Sequence, residues 1–210
     1  MTRVKICGIV TPEDASAACE AGVDALGFNF APEARQRGRF IEPDRARHII
    51  EQLPPFVTTV AVCVNEPIER LREYLEFVDY VQLHGEESPD DYRAVAPRAI
   101  KAFRLGPAFD EAAMRAHPAA AYLLDAYTPG SRGGTGRTCD WDRAAQAARL
   151  GRPLILAGGL TPDNVTDAVR TVRPYAVDTA GGVETAPGKK DHDKIRQFVL
   201  NAKRALSVSG

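Results

Sequence analysis

The sequence predicts an α/β protein, a single (β/α)8 TIM barrel over residues 1–210, on three observations. Eight short β-branched runs alternate with helix-like stretches along the chain. The 210 residues, 44% of them hydrophobic, suffice for one sizeable core and fall short of two comfortable domains. The rival, a doubly wound open sheet, usually shows about five or six strands and a glycine-rich turn after the first. Here the first strand ends Ile6-Cys7-Gly8, without GxGxxG.

Val4–Cys7 opens the series and a helix near 12–22 follows it. Ala25–Phe30 precedes a helix near 43–53, Val57–Val64 one near 67–76, and Tyr80–His84 one near 89–95. Ile100–Phe103 leads to 109–116, Tyr122–Asp125 to 140–150, Leu154–Ala157 to 162–172, and Tyr175–Asp178 to 191–206. Thr11-Pro12, Ser88-Pro89 and Thr161-Pro162 each offer an N-cap hydroxyl with proline at the first helical position. Asp14, Asp91 and Asn164 then fall at the third position, where an aspartate suits the positive end of the helix dipole. No linker, low-complexity tract or second domain is visible.

Composition excludes several classes of partner. Lys plus Arg (27) nearly balances Asp plus Glu (28), so neither a nucleic acid nor a membrane surface finds a basic face. No stretch approaches the roughly 18 consecutive apolar residues of a membrane helix. Residues Met1 to Gly8 are too short and polar for a signal peptide. Cys7, Cys19, Cys63 and Cys139 are scattered without a CxxC pair, which predicts reduced thiols, a cytoplasmic location and no zinc site.

In such a barrel, chemistry gathers where strands end. Those ends carry Cys7, His84, Asp125 and Asp178, with Gly158-Gly159 and Gly181-Gly182 after strands seven and eight. Alternation sends Val4 and Ile6 toward the helices and puts Lys5 and Cys7 on the lumen face. A thiol there can act as a base if neighbouring positive charge lowers its pKa, or it is simply a buried small hydrophobe. Asp125 either caps a loop or, across the mouth from Cys7, serves as a general acid with a raised pKa. The paired glycines make ordinary turns or, in loops that commonly hold phosphate in this fold, let backbone N–H groups reach a phosphorylated small molecule. The loop Gly130-Ser131-Arg132-Gly133-Gly134-Thr135-Gly136 reads as a lid or as a plain surface loop.

Lys5-Ile6-Cys7-Gly8, Gln82-Leu83-His84-Gly85, Leu124-Asp125, Gly133-Gly134-Thr135-Gly136, Asp140-Trp141, Leu156-Ala157-Gly158-Gly159-Leu160 and Val177-Asp178 with Gly182-Val183-Glu184 form an ordered set. In sequence, order and spacing the set resembles the phosphoribosylanthranilate isomerase family over essentially the whole chain. The resemblance implies an Amadori rearrangement of N-(5-phosphoribosyl)anthranilate to 1-(2-carboxyphenylamino)-1-deoxyribulose 5-phosphate in tryptophan biosynthesis. It makes Cys7 the general base and Asp125 the general acid. His84, Asp178 and an arginine contact substrate, and Gly158, Gly159, Gly181 and Gly182 hold its phosphate. Both chemical steps are proton transfers, so neither a metal nor an organic cofactor is required. The protein is then a monomer or a homodimer.

Two stretches depart from the family. Where two serines usually follow the aspartate, this chain has Thr179-Ala180, which removes hydroxyl contacts to phosphate. The loop after the second strand, Pro32-Glu33-Ala34-Arg35-Gln36-Arg37-Gly38-Arg39-Phe40, is longer and lacks the family's serine. Arg39, anchored by Phe40-Ile41, best fits the family's carboxylate-binding arginine, with Arg37 the runner-up. Cys139 stands where an aromatic often precedes Asp140-Trp141. A metal-dependent epimerase would want several His and Asp ligands at strand ends, and only His84 supplies an imidazole there. A Schiff-base aldolase wants a lysine near the mouth, whereas Lys101 is mid-strand and reads as part of a polar layer inside the barrel. A barrel that merely binds a sugar phosphate leaves Cys7 and Asp125 unexplained. Activity on the analogous histidine-pathway aminoaldose usually employs an aspartate where Cys7 stands.

Overall fold

The computed structural model describes residues 1–126, 140–149 and 151–206. Eight parallel strands close on themselves: β1 (Arg3–Cys7), β2 (Ala25–Asn29), β3 (Thr58–Cys63), β4 (Tyr80–Leu83), β5 (Ala99–Leu105), β6 (Ala121–Ala126), β7 (Leu154–Leu156) and β8 (Ala176–Thr179). Each strand pairs with its neighbour in sequence, and β8 returns to β1 with Lys5 opposite Asp178. Around them lie α1 (Pro12–Glu20), α2 (Pro43–Ile50), α3 (Ile68–Tyr74), α4 (Glu111–Ala116), α5 (Trp141–Ala147), α6 (Val165–Val172) and α7 (His192–Arg204). None of the described helices is long and apolar enough to cross a membrane. The glycine-rich loop Gly130 to Gly136 and Cys139 lie outside the described residues.

Strand alternation sorts the apolar residues into two cores. Val4, Ile6, Leu26, Phe28 and Leu124 pack between strands and helices in the larger one. Val60, Ile100, Ala102, Leu123, Ile155, Ala157 and Ala176 form the smaller one, which fills the lumen below the mouth. A filled lumen makes the barrel a rigid base rather than a pore, so functional side chains stand only on its upper layer.

The structure corrects three expectations. Of the three hydroxyl–proline pairs, only Thr11-Pro12 starts a helix, with Thr11 Oγ1 accepting from Asp14 N at 3.2 Å. Ser88-Pro89 sits in a turn, where the Ser88 N–H donates to Asp91 Oδ2 at 2.6 Å, and the fourth helix is a 3-10 helix at Arg93–Arg98. Pro97 inside that segment lacks the N–H an α-helix needs. After Thr161-Pro162, Asn164 Oδ1 accepts from Thr161 N at 2.8 Å, which closes a turn and delays α6 to Val165.

Lys101 is the third correction. Ile100 and Ala102 point into the lumen, so Lys101 between them points outward. Its ammonium donates to Glu87 at 2.7 Å and to Gly85 O at 2.8 Å. Glu87 also accepts from Asn65 N at 2.8 Å and from Gly85 N at 3.1 Å. Together these bonds clamp the loop that follows His84. Burial opposes the Glu87 charge, but Lys101 and the backbone donors outweigh burial and hold its carboxyl below the ordinary value. A depressed carboxyl stabilises the fold fully above its unfolded pKa, about 4.3, and that stabilisation is lost as pH falls through the lower folded value.

Lys101→Met removes one partner of this buried pair and strands the other. The variant is expected to lose about 3–5 kcal/mol in urea denaturation at pH 7. It should also lose the acid-side dependence that Glu87 gives the wild type.

Candidate active site

Because all eight strands are parallel, their C-terminal ends share one mouth, and a cavity of about 440 Å³ opens there. Every site residue expected from the sequence lines it. Cys7, Arg39, His84, Asp125 and Asp178 all border it, as do both glycine pairs. Arg37 lines it as well. The exposed Arg35 pairs with Glu42 at 2.9 Å and stacks over Phe40 at 3.6 Å.

Cys7 ends β1 opposite Gly27 of β2. Burial pushes its thiol above the ordinary value; Lys5 and Lys190 pull it back part of the way, and Asp178 pushes it up again. The condition for an easily ionised thiol, a net lowering by neighbouring charge, is therefore not met. Desolvation of a thiolate in a closed barrel outweighs the two nearby ammonium groups.

Asp125 ends β6, 5% exposed, with Oδ1 accepting from Ala126 N at 2.8 Å. Its other oxygen lies 3.5 Å from His84 Nε2, too far for a hydrogen bond. Gln82 Nε2 lies 3.2 Å from His84 Nδ1. With that amide donating, the ring proton sits on Nε2 and faces Asp125. Among the described residues, His84 Nε2 and Gln82 Oε1 are buried without a hydrogen-bond partner. Buried polar atoms are nearly always satisfied. These two belong to side chains in the cavity wall, where a polar ligand would satisfy them.

The glycine loops after β7 and β8 approach each other closely. A Cβ built on Gly182 would stand 1.8 Å from Leu160 O, so only glycine fits. Gly158 adopts φ +84°, and a Cβ there would meet Ala126 N at 2.4 Å and Asp125 Oδ1 at 2.9 Å. The Thr179 hydroxyl donates to Leu160 O at 2.7 Å, so it stitches one loop to the other. A short 3-10 helix, Gly181–Val183, carries the second glycine pair.

Arg39 is 8% exposed and already paired. Its Nε and Nη2 donate to Glu184 at 2.9 and 2.8 Å, and Glu184 also accepts from Lys190 at 2.8 Å. Glu184 opens a small hairpin, β9 (Glu184–Ala186) with β10 (Lys189–Lys190), turning at Pro187-Gly188. Lys190 reaches back to Cys7 O at 2.7 Å and Ala180 O at 3.0 Å. Burial opposes the Glu184 charge, but Arg39 and Lys190 outweigh it and hold the carboxyl low. Burial pulls the Lys190 ammonium below its ordinary value despite Glu184. Sequence reasoning named neither Glu184 nor Lys190 as part of the site. The Pro-Gly turn between them was the available signal.

Proton-handling groups at the carboxyl mouth of a closed parallel barrel define a (β/α)8 enzyme. Residues 4–201 match the family described as N-(5'phosphoribosyl)anthranilate (PRA) isomerase. The chain belongs to that family. It is 52% identical over 205 residues to the N-(5'-phosphoribosyl)anthranilate isomerase of Geobacter metallireducens, covering 97% of this chain and 100% of that one. The phosphoribosyl anthranilate isomerase structure from Thermus thermophilus superposes with a TM-score of 0.86 at 41% identity, over 96% of this chain and 98% of that one. A phosphoribosyl anthranilate isomerase in complex with reduced 1-(o-carboxyphenylamino)-1-deoxyribulose 5-phosphate gives a TM-score of 0.81 at 41% identity, over 97% and 99%.

Gly182→Ala forces the two glycine loops apart against backbone. Overpacking of this kind costs about 1–3 kcal/mol, a fall of roughly 2–12 °C in melting temperature for a chain of this size. An unchanged calorimetric midpoint would show that the loops do not touch as described.

Proposed function

We propose that the chain acts as one barrel domain that isomerises N-(5-phosphoribosyl)anthranilate to 1-(2-carboxyphenylamino)-1-deoxyribulose 5-phosphate. The observation that carries the proposal is the convergence of Cys7, Asp125 and the paired-glycine loops on one cavity. Asp125 gives its proton to the furanose ring oxygen as the ring opens to an iminium. The Cys7 thiolate removes the C2′ proton to give an enamine, which tautomerises to the ketone. Each step moves a proton between a side chain and substrate, so the chemistry asks for no cofactor. Asp125 is oriented through Oδ1 by the Ala126 N–H, and the unpartnered His84 Nε2, 3.5 Å from its other oxygen, is left to meet the substrate.

Asp178, anchored through Oδ1 by Lys5 at 2.9 Å, offers its other oxygen to a substrate hydroxyl. The phosphate lies against Gly158, Gly159, Gly181 and Gly182, where backbone N–H groups suit an anion. Arg39 takes the anthranilate carboxylate. Glu184 occupies the Nε–Nη2 edge of its guanidinium, so the carboxylate meets the Nη1–Nη2 edge, a second fork of the same planar group. Gly181 leaves that edge open, since a Cβ there would lie 2.8 Å from Arg39 Nη2. The free thiols Cys7, Cys19 and Cys63 suit a reducing cytoplasm.

A fluorescence assay following consumption of phosphoribosylanthranilate by the purified protein tests the activity itself. Cys7→Ser and Asp125→Asn are each expected to lose at least about 100-fold in kcat with little change in KM, because proton transfer rather than binding is removed. Near-wild-type turnover in either variant removes that residue from its role. Since burial pushes the Cys7 thiol up, the thiolate fraction and kcat/KM should still climb as pH rises past about 8.

Arg39→Ala should raise KM at least about tenfold, as expected for a lost charge-assisted hydrogen-bond pair, whereas Arg35→Ala changes it little. A large effect from Arg37→Ala with none from Arg39→Ala would transfer the carboxylate site to Arg37.

A further inference from the structure

Lys5 is 2% exposed and points into the lumen one alternation below Cys7. Its ammonium donates to Asp178 Oδ1 at 2.9 Å across the β1–β8 seam. The residue beside Cys7 on β2 is Gly27, and a Cβ built there would stand 2.9 Å from Cys7 Sγ and 2.9 Å from Lys5 Nζ. Sulfur and nitrogen therefore share the space that the missing side chain leaves. They lie within about 6 Å of each other, the range in which one charge biases another group's ionisation.

Building on the reading of Cys7 as the base, we propose that Lys5 is the positioning residue of that base. Its ammonium, clamped by Asp178 and seated in the gap at Gly27, favours the thiolate form of the Cys7 sulfur over what the same site would hold without that charge. Asp178 fixes the Lys5 side chain, and Gly27 keeps the gap open for both atoms. The base is then a strand-borne pair, with the cation two residues behind the nucleophilic sulfur.

The groups facing Cys7 from every side agree with this assignment. Lys5 lies on β1, Asp178 on β8 and Lys190 on β10, and the Arg39 side chain passes over Gly8 from the β2 loop. Asp125 and His84 share the cavity from β6 and from the end of β4. Lys190 spends its donors on Cys7 O, Ala180 O and Glu184, whereas the Lys5 ammonium has an ion-pair partner on one side and the sulfur on another. Burial works against the Lys5 charge, but Asp178 and the sulfur outweigh it and push the ammonium above its ordinary value. Lys5 therefore keeps its charge to higher pH than an ordinary lysine.

The test is the pH dependence of iodoacetamide alkylation at Cys7 in the free enzyme, resolved from Cys19, Cys63 and Cys139 by peptide mass. Lys5→Gln keeps a donor for Asp178 but removes the charge. It should raise the Cys7 midpoint by about one pH unit, roughly a tenfold loss of thiolate at a given pH. Lys5→Arg should restore the wild-type midpoint, and Cys19 on α1 should not move in either variant. The kcat/KM profile should shift to higher pH in parallel with the alkylation curve. An alkylation midpoint for Lys5→Gln equal to wild type overturns the proposal. Should that variant not fold, Lys5→Gln/Asp178→Asn removes both charges together, and its midpoint still rises because Lys5 outweighs Asp178 at the sulfur. An unchanged midpoint there overturns the proposal equally. An active Cys7→Ser enzyme would instead overturn the base assignment, and the alkylation shift would still report the Lys5–Cys7 pair.

Discussion

Closure of the barrel at the β1–β8 seam is the constraint from which the mouth follows. Lys5 and Asp178 stand opposite each other there and share a 2.9 Å ion pair that water barely reaches. A charge buried alone costs several kcal/mol, so neither residue is tolerable without the other. The pair therefore fixes which register of β1 against β8 is acceptable. A slip by one residue would turn Lys5 into the apolar helix layer. With that register set, Cys7 arrives at the rim on the lumen side, and its neighbour Gly27 leaves the sulfur room.

A second set of buried charges builds the rim above the seam. Arg39 from the loop after β2, Glu184 after β8 and Lys190 on the hairpin form one chain of hydrogen bonds that also ends on the Cys7 carbonyl. The two cations exceed the single carboxylate, so the cluster carries net positive charge beside the glycine loops. A ligand with two anionic groups, a phosphate at one end and a carboxylate at the other, meets this field from both ends. Glu184 keeps the arrangement from being purely repulsive and orients the guanidinium edge.

Much of this was legible in the sequence because it follows local period. The alternation Val4-Lys5-Ile6-Cys7 placed the thiol in the lumen, and the strand ends supplied His84, Asp125 and Asp178. Errors arose where one dipeptide serves two geometries. Thr11-Pro12 caps a helix, while Ser88-Pro89 and Thr161-Pro162 close turns, since Asp91 and Asn164 three residues on capture the backbone N–H first. Lys101 was assigned to the wrong face because its partner Glu87 lies in a loop with no period to read. Glu184 escaped notice as a site residue because the guanidinium it holds is 145 positions away. The direction of the thiol's ionisation could not be read for a related reason, since sequence shows neighbouring charges but not the burial that outweighs them.

The clamp at the seam joins residues 173 positions apart, and the Lys190 bond to the Cys7 carbonyl spans 183. Contacts of such long sequence separation form late, because the intervening loop must close before they return any energy. A chain emerging from the ribosome accordingly carries its thiol for most of synthesis, and its acid for the later part, without a mouth to hold them. Partial products have no reactive pocket, and a half-made barrel exposes Lys5 to water, where its charge is harmless. Competence therefore appears in one step, when the eighth strand and its hairpin meet the first.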